Sequence, residues 1–387
     1  MKYFVMPFLS NTFDSIGIDI GDRSIKAAYI KKHGKDFELL SFGSIEINPG
    51  IFDKGNILKP DQASSAIRQL VSSMGPKKIK TKYAHVCLPE TQTFIKLLNI
   101  EAENEEEAKA KAREELPNHV PIDIQKSYVD SRIVEKIEAS EEKMLCKVLS
   151  GACPQKISND YADLISISGL IPVSLQIEAE AIVNALMPKE LQQNSVPTAI
   201  IDIGAGRSSF ILFDNNAIQF SVSMPLSSNE ITVDIARTMQ FTYEQAEKSK
   251  RICGFDPSRC EKQIIDILFK SVATLAENII KNNNFYLEHF SGAKPIAAII
   301  LCGGGAYLPG LPRELGARLK NMSVKLGNPL INIAKKRKKI IKKLKTEPNS
   351  FDSNNENLDS YNIPKEFSQK HEMSYATAIG LALSNVL

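Results

Sequence analysis

Two segments of this sequence repeat one another, and their aspartates stand 183 positions apart. The first is Ile16-Gly17-Ile18-Asp19-Ile20-Gly21-Asp22-Arg23-Ser24-Ile25-Lys26, and the second is Ile200-Ile201-Asp202-Ile203-Gly204-Ala205-Gly206-Arg207-Ser208. Each has a β-branched run, an Asp, one spacer and a Gly, then polar residues before a second apolar run. That pattern predicts a strand, a tight turn and a second strand. Successive amides in such a turn form an anion-binding nest. An Asp at the end of the first strand suits Mg²⁺, which keeps several waters and takes few carboxylates. A single Asp-x-Gly is common turn chemistry. Two copies, each opening half of the chain, point to a duplicated domain closing on a phosphate chain from both sides.

A third segment has matching chemistry. Pro295 to Cys302 reads as a buried strand, followed by Gly303-Gly304-Gly305 and a helix from about Leu311. Three glycines between strand and helix let the backbone lie against a planar group or a phosphate. On this segment alone, a close packing turn without a ligand is an equal alternative. Glu230 to Arg251 reads as two helices broken near Phe241-Thr242. Gln176 to Leu186 and Ser374 to Leu387 read as apolar helices. Ala376, Ala378 and Gly380 in the latter permit close approach of another backbone.

Composition excludes several classes. The 387 residues are 43% apolar, so the chain is globular, with room for two or three domains. The longest apolar run, Ile296 to Cys302, is far short of the ~20 residues that span a bilayer. The first ten residues lack the features of a signal peptide. The six cysteines form no CxxC pair and have no His at ligand spacing, which predicts reduced thiols and neither a zinc site nor a disulfide framework. Lys335 to Lys345 holds eight basic residues in eleven. Outside it the chain has 40 basic against 45 acidic side chains, which argues against nucleic-acid binding. The basic run reads either as a solvated helix face or as a contact for anionic lipid. Thr346 to Glu372 reads as a polar, disordered loop.

With these segments in this order, the chain resembles the actin/Hsp70/sugar-kinase nucleotide-binding superfamily. Within it, IGIDIGDRSIKAA, EAEAIVNAL and LCGGGAYLPGL resemble the FtsA-like PilM family of type IV pilus assembly. The resemblance implies an α/β, two-lobed actin/Hsp70-like ATPase fold with duplicated RNase H-like domains and an FtsA-type 1C insertion. The expected division is an N-terminal segment 1–15, a lobe I core (1A) of 16–92 and 155–197, and the 1C-like insertion 93–154. The lobe II core (2A) takes 198–240 and 296–387, including the basic and polar loop 335–372, and subdomain 2B takes 241–295. The cofactors implied are ATP and Mg²⁺.

Carried over by resemblance, Asp19 and Asp202 hold the metal waters, and Glu178 orients an attacking water as a positioning group for phosphoryl transfer. Gly21, Asp22, Ser24 and Lys26 in loop one and Gly204, Gly206 and Ser208 in loop two surround the phosphates. Glu247 and Lys250 contact ribose and adenine, and Gly303, Gly304 and Gly305 border the adenine. Asp22 and Arg207 stand where the family usually has hydroxyl residues, which implies nucleotide binding with at most slow hydrolysis.

The function implied is a cytoplasmic scaffold, peripheral at the inner membrane, coupling nucleotide state to a partner. That partner is the cytoplasmic N-terminal peptide of a PilN-like bitopic inner-membrane protein, held by the insertion. Pilus motor ATPases, self-association and membrane contact through Lys335 to Lys345 stay open. Two alternatives are a small-molecule kinase of the same fold and an FtsA-like division protein. The first would need an acceptor pocket with a catalytic carboxylate. The second would need an amphipathic helix after the last apolar helix.

Overall fold

The computed structural model describes residues 14–34, 36–138, 143–188, 196–333, 363–364, 367 and 373–384. The basic run Lys335 to Lys345, nearly all of the polar loop, and residues 1–13 lie outside them.

The first sheet grows from the first repeated segment. Strands β1 (Ser15–Ile20) and β2 (Ser24–His33) form an antiparallel hairpin in which Asp19 faces Lys26 across the ladder. Strand β3 (Asp36–Glu46) follows, then the short pair β4 (Phe52–Asp53) and β5 (Asn56–Ile57). Helix α1 (Pro60–Ser73) starts with Pro in its first turn, where the missing N–H is unneeded. Strands β6 (Gly75–Pro76) and β7 (Tyr83–Leu88) come next. After β7 the chain leaves for β8 (Phe94–Ala102), α2 (Glu105–Glu115), β9 (Ser127–Glu138) and β10 (Met144–Pro154). It returns through α3 (Gln155–Ile167), β11 (Ile171–Ile177) and α4 (Glu178–Leu186). The first sheet has the order β11-β7-β1-β2-β3-β6.

The second half repeats the plan. Strands β12 (Thr198–Ile203), β13 (Ser208–Asp214) and β14 (Ala217–Met224) form a meander. Helices α5 (Ser228–Met239), α6 (Tyr243–Cys253) and α7 (Lys262–His289) lead to β15 (Ala298–Cys302), α8 (Leu311–Arg318), β16 (Ser323–Leu326) and α9 (Ala376–Leu383). The break at Phe241-Thr242 is where the sequence places it: Gln240 closes α5 in the left-handed region, and Thr242 opens α6 with a capping box to Gln245.

The duplication extends beyond the hairpins. β1 is flanked by antiparallel β2 and parallel β7, and β12 by antiparallel β13 and parallel β15. Helices α4 and α9 cross between the two sheets within one apolar core that also takes in Ala28, Leu39, Ile200 and Ile211. The outer face of the first sheet is closed by α1 and α3, and that of the second by α5 to α8.

Two expectations need correction. Gln176 and Ile177, read as helical, end strand β11, and the helix starts at Glu178. Cys253 and Cys260, read as reduced thiols, are joined as a disulfide. Helix α6 ends at Cys253 and the loop turns straight back, a closure that the seven-residue spacing does not announce. A further feature is the path of the inserted strands: β8, β10 and β9 continue the second sheet outward from β14 through the single pairing of Phe220 with Lys96.

Candidate functional site: facing hairpins

The two turns are built alike. The Gly21 N–H donates to the Ser24 carbonyl at 3.0 Å, and the Gly204 N–H to the Arg207 carbonyl at 2.9 Å. Each Asp is also held alike. The Cys87 thiol of β7 lies 3.5 Å from Asp19 Oδ1, and the Cys302 thiol of β15 lies 3.6 Å from Asp202 Oδ1. Lys26 Nζ stands 3.9 Å from Asp19 Oδ2. Burial, then the charge of Asp19, pushes the Asp202 carboxyl up to about 6. Two neighbouring carboxylates that repel one another form a place for added positive charge.

Glu178 opens α4 and is buried. Burial pushes its carboxyl up to about 8, against the pull of the Arg207 guanidinium, whose Nη2 lies 3.4 Å from Glu178 Oε2. Burial alone would weaken the guanidinium charge, but Glu178 and Asp22 outweigh it and keep Arg207 protonated. Arg207 Nη1, Ser208 Oγ and Ser209 Oγ are buried without a hydrogen-bond partner. Glu90, directly after β7, is a residue that motif reading missed. Its Oε1 accepts from Ser221 Oγ at 2.5 Å, its Oε2 has no partner, and burial raises its carboxyl to about 7. Nothing in Cys87-Leu88-Pro89-Glu90 marks it locally, since it joins the site only through the pairing of β7 with β1.

The loops approach directly. Asp22 lies against Gly206, and Arg23 stands over the Tyr243 ring, 5.5 Å from its centroid. Gly303 has φ +79° and no room for a Cβ between Asp202 and Ile203, while Gly305 packs on Ile203. Gly304 alone of the three has open space where a Cβ would stand. Glu247 and Lys250 face one another at 2.7 Å, and Lys250 also donates to Ser228 and Thr232. Their polar groups are thus engaged within the α5–α6 contact. Ser24 sits at the start of β2, beside the Gly21 turn.

The residues fit a nucleotide with a divalent cation. Unpartnered buried donors at Arg207, Ser208 and Ser209 suit phosphoryl oxygens, and Asp19 and Asp202 suit the waters of a cation. Among the described residues, no group of three or more His, Cys, Asp or Glu side chains makes a metal cage, so the nucleotide would complete the coordination.

Comparison with known proteins agrees with this architecture. Residues 17–353 match the family model "Type IV pilus assembly protein PilM". A solved "PilM-PilN type IV pilus biogenesis complex" chain superposes with a TM-score of 0.74 at 20% identity, covering 97% of this chain and 100% of that one. The ethanolamine utilization protein EutJ from Carboxydothermus hydrogenoformans gives a TM-score of 0.52 at 13% identity, covering 95% of this chain and 88% of that one. A search of curated proteins finds no match. The chain belongs to the PilM family of type IV pilus assembly proteins and has the actin-like ATPase fold.

Proposed function

We propose that this protein is a nucleotide-dependent scaffold: Mg-ATP bound between the hairpins sets how it holds the cytoplasmic tail of a PilN-like inner-membrane protein. The observation that carries this reading is the pair of equivalent turns, with Asp19 and Asp202 at matching strand ends and a charged, incompletely partnered Arg207 beside them. Asp19 and Asp202 hold the cation waters, and Gly21, Ser24, Lys26, Gly204, Gly206 and Ser208 surround the phosphates. The base lies along the open side of Gly304, near Glu247 and Lys250. Glu178 orients water for a slow hydrolysis, restrained by its pairing with Arg207.

Residues 93–154 are the inserted unit that takes the tail. The related solved complex supports a PilN-like partner, since it pairs PilM with PilN. Strand β9 stands at the outer end of the second sheet and offers a backbone edge to which an extended peptide can add. Among the described residues no helix is long and apolar enough to cross a membrane. In this reading the protein reaches the inner membrane through its partner, aided by Lys335 to Lys345 on anionic lipid. The family match does not favour the kinase and division-protein alternatives.

Hydrogen exchange on the full chain tests both halves of the reading. Mg-AMPPNP should protect the turns at Gly21 and Gly204, and a synthetic tail peptide should protect β8 to β10. Protection confined to other elements would refute the corresponding half.

A further inference from the structure

Arg207 is the most unusual member of the cleft. Its side chain is 15% exposed, and it reaches from the second hairpin to Glu178 at the head of α4. Only Nη2 approaches Glu178, at the long distance of 3.4 Å, and Nη1 is buried with no acceptor. A buried guanidinium with an idle donor is costly, and the planar fork of Arg is shaped for two parallel hydrogen bonds to one oxyanion. The carboxylates around it do not complete that fork. Asp22 lies against Gly206, the residue before Arg207, and Glu90 keeps an oxygen with no partner.

We infer that Arg207 is the residue by which this site distinguishes a nucleoside triphosphate from a diphosphate: its guanidinium exchanges Glu178 for the terminal phosphoryl group. The inference rests on the nucleotide reading above and goes beyond it by naming the discriminating contact. Position supports the terminal phosphate over the others. Glu178 is the group assigned to orient the attacking water, and a guanidinium within 3.4 Å of it lies at the phosphoryl end of the site. Charge supports it as well. A terminal phosphate brings negative charge into a cleft already holding Asp19, Asp22 and Asp202, and Arg207 is placed to offset it. The contact with Glu178 is then the nucleotide-free state of a two-position side chain. In that state Arg207 bridges the two halves of the molecule and holds Glu178 away from water.

Calorimetric titration with Mg-AMPPNP and Mg-ADP tests this in the full chain, comparing wild type, Arg207→Ser, Arg207→Lys and Glu178→Gln. The ratio of AMPPNP to ADP affinity in wild type should fall by about tenfold or more in Arg207→Ser, the range for a charge-assisted hydrogen bond. Arg207→Lys should restore part of it. At about pH 9, above the value of about 8 to which burial raises the Glu178 carboxyl, Glu178→Gln should raise the ratio, because it then removes the charged competitor for the guanidinium; this variant carries the test if Arg207→Ser does not fold. Equal losses for both nucleotides, or a ratio unmoved by Glu178→Gln, would give Arg207 a merely structural role and overturn the inference. A wild type that binds neither nucleotide would bring down the nucleotide reading itself. A wild type that binds both equally would overturn the inference alone.

Discussion

Asp22 of the first turn and Gly206 of the second lie in direct contact, so that a Cβ on Gly206 would stand 2.9 Å from Asp22 Oδ2. The two turns therefore meet with a carboxylate between them. A carboxylate facing a phosphate chain is repulsive where a hydroxyl would donate a hydrogen bond. Asp22→Ser should tighten Mg-AMPPNP binding by roughly three- to tenfold, consistent with the loss of one screened like-charge contact. Calorimetry at fixed salt measures it, and unchanged or weaker binding would show that Asp22 faces away from the ligand.

The second expectation concerns the joint between the halves. Gly380 in α9 packs on the Ala181 backbone of α4, and Gly17 in β1 packs on Ala378 and Ala382 of α9, with no space for a Cβ at either glycine. Backbone cannot yield as a side-chain tip can. Gly380→Ala should destabilise the protein by about 3 kcal/mol or more, the upper range for overpacking. Urea unfolding measures it; a shift below about 1 kcal/mol would mean that the helices separate freely.

These examples show how much the sequence disclosed. The hairpins were legible because Asp-x-Gly between β-branched runs is local chemistry, and the repeat gave each copy the weight of the other. The α4–α9 crossing was legible because Ala376, Ala378 and Gly380 leave little else for that face to do. Glu90 was not legible: it follows an ordinary strand and gains its place only when β7 pairs with β1. The paired thiols on Asp19 and Asp202 were hidden for the same reason, since each depends on the register between parallel strands. The attachment of the inserted strands to the second sheet rests on one pairing, Phe220 with Lys96, which no periodicity signals.

The buried carboxyls give a pH dependence of definite sign. Unfolded, Glu and Asp titrate near 4. Folded, Glu178 is raised to about 8, Glu90 to about 7 and Asp202 to about 6, with burial the main cause for each. Between those limits the native state keeps protons that the unfolded chain has released, so rising pH favours unfolding. Without nucleotide or Mg²⁺, stability should fall from about pH 5 to about pH 8, by at most about 1.4 kcal/mol per pH unit for each group. Glu178→Gln should flatten the upper part of that slope. Denaturant midpoints across the range decide it, and stability rising with pH would show these carboxyls ionised in the native protein.

The last prediction concerns how the cleft reaches the inserted strands. Glu90 sits at the root of the insertion, directly after β7, and accepts from Ser221 of β14, the strand on which β8 continues the second sheet. Its unpartnered oxygen is in the field of Arg207 and Asp202, so it is linked to the charge of the cleft on one side and to the inserted strands on the other. On the proposed reading, a nucleotide that redistributes that charge would change the balance at Glu90, and Ser221 would carry the change into β14. Ser221→Ala removes one hydrogen bond while leaving the turns, Asp19 and Asp202 in place. It should therefore leave Mg-AMPPNP affinity and nucleotide-free peptide affinity within about twofold, the scale of small substitutions away from a binding group. The effect of nucleotide on peptide affinity should shrink by about fivefold, the low end of ordinary coupling between sites. Fluorescence titration of a labelled tail peptide, with and without Mg-AMPPNP, measures both quantities in one cycle. A variant that keeps the full nucleotide effect would place the coupling elsewhere, with the α4–α9 crossing as the next element to test.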